Sequence, residues 1–473
     1  MNILFLTPPS PKNIRLFRSI DCSMNTKAAY LWQPYDYLII SSYAKEDDKV
    51  SFLDGTVDSL SKDEFLKKLI ELKKTNWDVV ISCTGSGAYH EDIPILLEIR
   101  KIFFNSTICV LGDVFIDKWF IEDILSKDFD GIIYNPYHIN LNQISKIREK
   151  KLNNNKSKFD IDSVITEPID HPFLKDLKKK KVTVVDANVP RHEVFQNQGY
   201  SWPFNTKKHY TTVTTMWGCT YSCDYCNSGR MHPIAKTNEN IIKEFEYLNE
   251  KGFKEIQFSD KVFGVPKVER KELLKKIIEK NLAISFSCYF HPSMYDEELL
   301  ELMKKAKCHT IVIGIDSANL KDLALHNRKV NENTLHKLID KANELKINVC
   351  GDFILGLPHE TEEDILKTIE YSKKLKIDFA SFNVFALAPG SPDRTKAIQE
   401  GKIPENACEE TLSNVTSSKH VSGDRLIELR RKANREFYFR PWMFFRRISR
   451  LQSIEHLMIQ LNQMVGIIRN NIV

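Results

Sequence analysis

The stretch Tyr210–Gly229, YTTVTTMWGCTYSCDYCNSG, decides how the chain is read. Its first half is β-branched and apolar, the composition of a buried strand. Its second half places three of the ten cysteines within eight residues, at Cys219, Cys223 and Cys226. Three thiols on one loop imply a bound group that takes three thiolates at one spot. A zinc ribbon needs four ligands in two CxxC-like pairs. No second pair exists here, and His232 nearby is isolated, without finger spacing. Three thiolates suit a four-iron cluster with one iron left open.

Outward from this stretch the pattern is a repeated strand–helix rhythm. FKEIQFSD, AISFSCYF, TIVIGID, INVCGDFILG and FASFNVFAL are strand-like, and between them lie stretches such as NENIIKEFEYLNEKG and EEDILKTIEYSKKLK with apolar residues at i, i+3 and i+4. Successive strands start a βα unit apart. The spacing predicts six units from about 208 to 392, too few for a closed eight-fold barrel. The cysteine loop then follows the first barrel strand, at the C-terminal ends where such barrels carry their chemistry.

The C-x3-C-x2-C spacing, with Tyr225 directly before the last cysteine, resembles the radical S-adenosylmethionine family. The resemblance implies that Cys219, Cys223 and Cys226 hold a 4Fe–4S cluster whose open iron is chelated by the amino and carboxylate groups of S-adenosylmethionine. Reductive cleavage of the sulfonium then yields a 5′-deoxyadenosyl radical that abstracts a substrate hydrogen. It also implies further contacts to S-adenosylmethionine. Asp260 in FSDKVF is the candidate for the methionyl amino group, with Lys261 where relatives often carry a second acid. Asp316 and Ser317 in GIDSAN are candidates for the ribose, with aspartate in place of the usual glutamate. Ile354 and Gly356 in FILGLPHET, and the backbone from Phe385 to Leu387 in FNVFALAPGSP, are candidates for adenine. Strand-end capping and core packing are the alternatives for the two acids and Ile354. Tyr289 and His291 in SFSCYFHP end the third strand and either face a substrate or form an aromatic strand end packed under a helix.

Residues 1 to 145 repeat the strand–helix alternation with NILFLT, KVSFLD, DVVISCTG, STICVLGD and FDGIIYN as strands. A parallel sheet with its ligand site at the strand ends is expected. Followed by the barrel, this resembles the cobalamin-binding subgroup of the same family. Pro9, Ser82, Thr84 and Gly112 are the strand-end positions such a cofactor implies. The Asp-x-His-x-x-Gly motif that ligates cobalt in some relatives is missing, and His90 lacks its context, so cobalamin would bind without a protein histidine.

The expected architecture is therefore α/β: a Rossmann-like, cobalamin-binding-type domain over 1–145 and a linker over 146–190. A partial (βα)6 barrel of TIM type follows over 191–392, then a basic helical C-terminal region over 393–473. The linker carries an asparagine run and the lysines of LKDLKKKK. With cobalamin the expected reaction is C-methylation. Without it, the same barrel would cyclise, rearrange, couple or oxidise its substrate, a lipid among the candidates. A non-catalytic metal protein bound to a membrane is the competing class.

Bulk properties set limits. A length of 473 residues asks for two or three domains. A net charge of +5 gives no whole-protein case for nucleic-acid binding. There is no apolar run of about 18 residues that could span a bilayer and no secretory n-region in MNILFLTPPS. The expected compartment is the cytosol, with a small-molecule or lipid substrate and a flavodoxin- or ferredoxin-type electron donor. The C-terminal region lacks a cysteine cluster, so one iron–sulfur cluster is expected. From Ser418 onward eleven Lys and Arg oppose four acids. Phe444, Ile448, Leu451, Met458, Leu461, Val465 and Ile468 recur at helical spacing, with Pro441 dividing the segment. These helices would close the barrel as a lid or rest on an anionic membrane surface at the periphery.

Overall fold

The computed structural model describes residues 1–10, 16–19, 22, 30–137, 139–153, 164–166, 182–408 and 418–471. The first body is a six-stranded sheet in the order β2 (Lys49–Asp54), β1 (Asn2–Thr7), β3 (Val79–Cys83), β4 (Thr107–Leu111), β5 (Gly131–Ile133) and β6 (Val164–Ile165). All pairs are parallel except β5 with β6. β1, β3 and β4 are near-continuous apolar runs because helices cover both faces of such a sheet. The helices are α1 (Tyr35–Ser41), α2 (Lys62–Leu72), α3 (Tyr89–Ile102), α4 (Lys118–Leu125), α5 (Leu141–Ile144) and α6 (Ile147–Leu152). Ser61 and Glu64 start α2 with a reciprocal capping box.

The expected boundary at residue 145 is too early. α6 and β6 belong to the first body, and β7 (Thr183–Val185) joins a small sheet with β9 (Met216–Trp217) and β10 (Ile234–Lys236) beside the cysteine loop. Strands of two or three residues leave no periodicity in the sequence. The lysine run 178–181 lies outside the described residues.

The second body is an open six-stranded parallel sheet in chain order: β8 (Tyr210–Val213), β11 (Glu255–Phe258), β12 (Ser285–Phe290), β13 (Cys308–Asp316), β14 (Asn348–Leu355) and β15 (Phe379–Val384). Around it lie α7 (Asn238–Glu250), α8 (Lys267–Glu279), α9 (Glu297–Lys305), α10 (Leu320–Leu325), α11 (Glu332–Glu344) and α12 (Glu362–Lys374). Outward residues such as Ile256, Phe286, Ile311, Val349 and Phe382 pack under these helices in one core. The alternate residues Thr212, Gln257, Ser287, Thr310 and Asn348 are polar and buried, so the period-2 pattern turns a hydrophilic wall inward.

Both edges of this sheet are covered, which answers the hazard of an open barrel. On β8, the Gln33 side-chain oxygen accepts from Thr212 N–H and from Thr211 Oγ1, each at 2.9 Å. On β15, the Tyr438 hydroxyl donates to Ala380 O at 2.7 Å and accepts from Ala380 N–H at 3.2 Å. Like the Gln33 contact, a second junction fastens the two bodies. Arg394, at the start of α13 (Pro392–Gln399), donates to Asp117 at 2.5 Å, and Gly390 N–H donates to the same carboxylate at 2.7 Å.

Among the described residues three helices follow: α14 (Gly423–Tyr438), α15 (Pro441–Ser449) and α16 (Ile454–Asn471). Pro441 occupies the first turn of α15, where its missing N–H costs nothing. These helices pack on their own barrel, at the N-terminal ends of β8 and β15, with a polar face turned inward. α16 buries His456, Gln460 and Gln463 and exposes Ile454, Leu457, Met458, Leu461, Met464 and Val465. α15 likewise exposes Phe444, Phe445 and Ile448. The polar seam faces inward because the barrel wall beneath it is polar.

Candidate active site

The cysteine loop leaves the C-terminal end of β8 and enters a cavity of about 380 Å³ at the barrel mouth. Cys219, Cys223, Cys226 and Tyr225 line it with Lys261, Tyr289, His291, Asp316, Arg328, Asp352, Ile354 and Phe385. Every barrel strand or the loop after it contributes, as expected where parallel strands converge on one face. Burial pushes the Cys223 thiol up to about 12, so a metal bound there must displace its proton. Among the described residues no three acidic, His or Cys side chains converge on one point for a single metal ion. A four-iron cluster asks for less convergence, since each thiolate takes its own iron.

Asp316 sits at φ +65° where the β13–β14 register slips. That left-handed backbone turns its carboxylate into the mouth. Arg328 Nε donates to it at 2.6 Å and Tyr225 OH at 3.0 Å, while Arg328 also donates to Gly314 O at 2.6 Å. Asp316 thus neutralises a buried guanidinium, and Asp316 raises the Arg328 pKa against the desolvation that lowers it. His291 Nε2 abuts the same guanidinium. Burial first, then Arg328, push His291 down to about 3, so the ring stays neutral. Tyr221 stacks on His291 with centroids 4.1 Å apart. Lys261 lies 5.7 Å from the Tyr35 ring centroid, and burial pushes its amine down to about 7.

Of the remaining sequence candidates, Ile354 and Phe385 line the cavity and four others, Asp260, Ser317, Gly356 and Leu387, do not. Asp260 is buried against the loop. Its carboxylate accepts Thr215 N–H at 2.6 Å and Met216 N–H at 3.1 Å, which fixes where the cysteine stretch begins. Ser317 points away and donates to Glu360 at 2.6 Å. Gly356 has φ +87°, but a Cβ there would meet Leu426 of α14 at 2.7 Å, so the close approach is to a helix. Leu387 is half-buried in a small apolar cluster with Ala397 and Ile403. Sequence reasoning missed Arg328, which follows a short helix without any periodic or motif signal, and Asp352, whose acid is hidden in an ordinary strand.

The strand ends of the first body are tightly packed. Arg18 is buried and forms a two-pronged ion pair with Asp92, at 2.8 and 2.9 Å, and also donates to Pro8 O and Pro9 O. Thr84 donates to Asp92 at 2.9 Å and Ser82 to Leu6 O at 3.2 Å, while a Cβ on Gly112 would meet Thr84 O at 2.6 Å. The polar groups named at Pro9, Ser82 and Thr84 are therefore spent inside the domain. His90 lies on the surface beside Asn406 O. Between the two bodies runs an aromatic shelf. Trp32 lies 5.1 Å from Trp202, Tyr30 stacks on Trp32, and Trp202 meets the cavity-lining Tyr289. Among the described residues the buried indole N–H groups of Trp32 and Trp202 meet no hydrogen-bond acceptor. Buried donors of this kind ask for a partner, and a flat macrocycle edged with amide carbonyls fits both the shelf and the donors.

A half-barrel with three cysteines after its first strand defines a class of iron–sulfur enzyme. Residues 213–372 match the profile of the Radical SAM superfamily, and this part of the chain is a radical S-adenosylmethionine domain. The chain is an enzyme of that type, and the family implies a 4Fe–4S cluster and S-adenosylmethionine as cofactors. An uncharacterized methyltransferase of Pyrococcus horikoshii is 25% identical over 462 residues, 93% of each chain. A tRNA-2-methylthio-N(6)-dimethylallyladenosine synthase of Clostridium botulinum is 27% identical over 54% of this chain and 60% of its own. The fold is also that of the radical S-adenosylmethionine methyltransferase TsrM from Kitasatospora setae, solved with cobalamin and a [4Fe–4S] cluster. The TM-score is 0.64 at 16% identity, over 84% of this chain and 78% of that one. The cobalamin-dependent radical enzyme OxsB, solved with aqua-cobalamin and S-adenosylmethionine, aligns with TM-score 0.64 at 13% identity, over 100% of this chain and 72% of that one. Both solved relatives pair the two bodies described here.

Proposed function

We propose that the protein is a cobalamin-dependent radical S-adenosylmethionine C-methyltransferase acting on a small molecule. The observation that carries the reading is the mouth itself: Cys219, Cys223 and Cys226 share one cavity with Asp316, Arg328, Ile354 and Phe385. Its volume suits one nucleotide-sized ligand. The three thiolates would hold the cluster. Asp316, held by Arg328 and Tyr225, would accept from ribose hydroxyls, and Ile354 and Phe385 would flank the adenine. Asp260 positions the loop rather than touching the ligand. The Trp32–Trp202 shelf would carry the corrin, with the two indole N–H groups donating to its amides. When bound, the cluster supplies the electron that cleaves the sulfonium, and cobalamin carries the methyl group. The chain's own contribution is to hold the nucleotide, keep His291 neutral and exclude water from a mouth that the first body covers. Electrons would come from a flavodoxin or ferredoxin in the cytosol. Among the described residues no helix is long and apolar enough to cross a membrane.

The test is anaerobic reconstitution with iron, sulfide and cobalamin. The expected result is about four iron and four sulfide per chain, a corrinoid absorbance that survives gel filtration, and both 5′-deoxyadenosine and S-adenosylhomocysteine on reduction. Reconstituted protein without iron refutes the whole reading. A cluster and 5′-deoxyadenosine without retained corrinoid refute methylation through cobalamin and leave a cobalamin-free radical reaction.

A further inference from the structure

The inverted helix α16 and its neighbour α15 are not explained by catalysis. A helix that buries polar residues and exposes apolar ones is stable where its outward face is also taken from water. The exposed set includes Phe444, Phe445 and Ile448 on α15 and Ile454, Met458 and Leu461 on α16. Phe445 is 70% exposed and Ile454 82% exposed, values at which an isolated side chain is ordinary but a contiguous run of aromatic and aliphatic groups marks a contact surface.

The charges around this face select the occupant. Arg440, Arg446, Arg447 and Arg450 belong to α15 and its flanks. Arg446 and Arg450 share one carboxylate, Asp378, at 2.7 and 3.5 Å. Arg447 lies over the Phe379 ring and Arg440 over Trp442. The acid on α16, Glu455, accepts from Lys208 N–H at 2.9 Å. Arg446, Arg447 and Arg450 turn onto the barrel, where two carboxylates do not match the four guanidinium groups, and the exposed positive charge beside the apolar face is carried by α14. Arg431 and Arg435 are exposed and lead along one stripe of α14 to the exposed Phe439. A second copy docking by two-fold symmetry would set this positive rim against itself. An anionic lipid surface complements it, and aromatic, aliphatic and arginine side chains together are the composition of a helix lying at a membrane interface.

We propose that α15 and α16 dock the enzyme on an anionic lipid bilayer through the closed end of its barrel. The helices contact the chain just before β8, through Lys208, and just before β15, through Asp378. The cysteine loop lies at the opposite, C-terminal ends of the strands. Docking therefore turns the mouth away from the lipid, and substrate enters from the aqueous side rather than from the bilayer beneath. This inference stands apart from the radical chemistry and deepens the membrane contact expected from the basic tail.

The experiment is flotation of the full-length reconstituted protein with vesicles of phosphatidylcholine alone or mixed with phosphatidylglycerol. Binding is expected with the mixed vesicles, weaker with phosphatidylcholine alone, and weakened by salt. Replacing both exposed rings, Phe444→Asp with Phe445→Asp, should lower the partition by about tenfold or more. Circular dichroism and 5′-deoxyadenosine formation should stay unchanged. Val184→Asp, an exposed apolar residue elsewhere, should leave flotation as it was. Absence of flotation by the unmodified protein overturns the proposal, as does flotation indifferent to the ring substitutions. A dimer in light scattering that those substitutions dissolve, without vesicle binding, overturns it in favour of a second copy.

Discussion

Glu360 is a carboxyl whose titration the fold should feel. Its Oε2 accepts Gly356 N–H and Leu357 N–H at 3.0 Å each, and its Oε1 accepts the Ser317 hydroxyl at 2.6 Å. One side chain thus ties the turn after β14 to the end of β13, two rims of the active-site mouth. The three bonds favour the carboxylate, but burial outweighs them and pushes the group from 4.5 up to about 7. The folded protein therefore holds this proton more tightly than the unfolded chain does. The contribution is fully present below pH 4.5 and is lost as the pH rises through 7. A shift of about 2.5 units corresponds to roughly 3 kcal/mol across that window. Glu360→Gln keeps an oxygen for the two N–H groups and offers its amide to Ser317, whose hydroxyl can turn to Thr368 Oγ1 at 3.2 Å. The variant should match the parent near pH 4.5 and exceed it by up to about 3 kcal/mol above pH 8. Urea denaturation of both proteins across that range is the assay. Subtracting the two curves cancels the other groups, such as Asp54, which burial pushes up to about 6. A difference that does not change with pH would refute the reasoning, and Glu360→Ala should destabilise at every pH because two buried N–H groups lose their acceptor.

Cys223→Ala should abolish iron retention and 5′-deoxyadenosine formation together, checked by metal analysis and chromatography; persistent formation would falsify the ligand assignment. Arg18→Ala strands the Asp92 carboxylate in a dry interior and should cost about 3–5 kcal/mol; adding Asp92→Asn should recover part of it in denaturation curves. Gly390→Ala places a methyl 2.0 Å from Ile116 at φ +72°, so it should loosen the Asp117–Arg394 junction and speed proteolysis between the two bodies. The Lys261 amine, pushed down to about 7, lines the cavity; product formation should show an inflection near that pH, which Lys261→Met should remove.

Much of the fold was legible because its strands and helices are long enough to show a period. The six barrel strands and the helices between them follow from apolar spacing alone, and Pro441 marks its helix break correctly. The short strands β6, β7 and β9 left no such signal, and they are the ones that blur the domain boundary. Edge protection was also invisible. Gln33 on β8 and Tyr438 on β15 act across 179 and 58 residues of chain, with nothing local to announce them.

The site divides along the same physical line. The cysteine cluster could be read because it is local: one loop carries all three within eight residues. The acids could not be ranked, because any strand-end carboxylate in a buried mouth meets unpaired backbone N–H groups before it meets a ligand. Asp260 and Glu360 are consumed that way, whereas Asp316 is turned into the cavity by a register slip and held by an arginine that no motif announces. The tail shows the complementary limit. A 3.6-residue period in α16 states that one face is apolar and the other polar, but not which face meets the barrel. Ordinarily the core is apolar and the answer is automatic. Here the partner surface is the polar lumen of a half-barrel, so His456, Gln460 and Gln463 turn inward and the apolar stripe is left for something outside the chain.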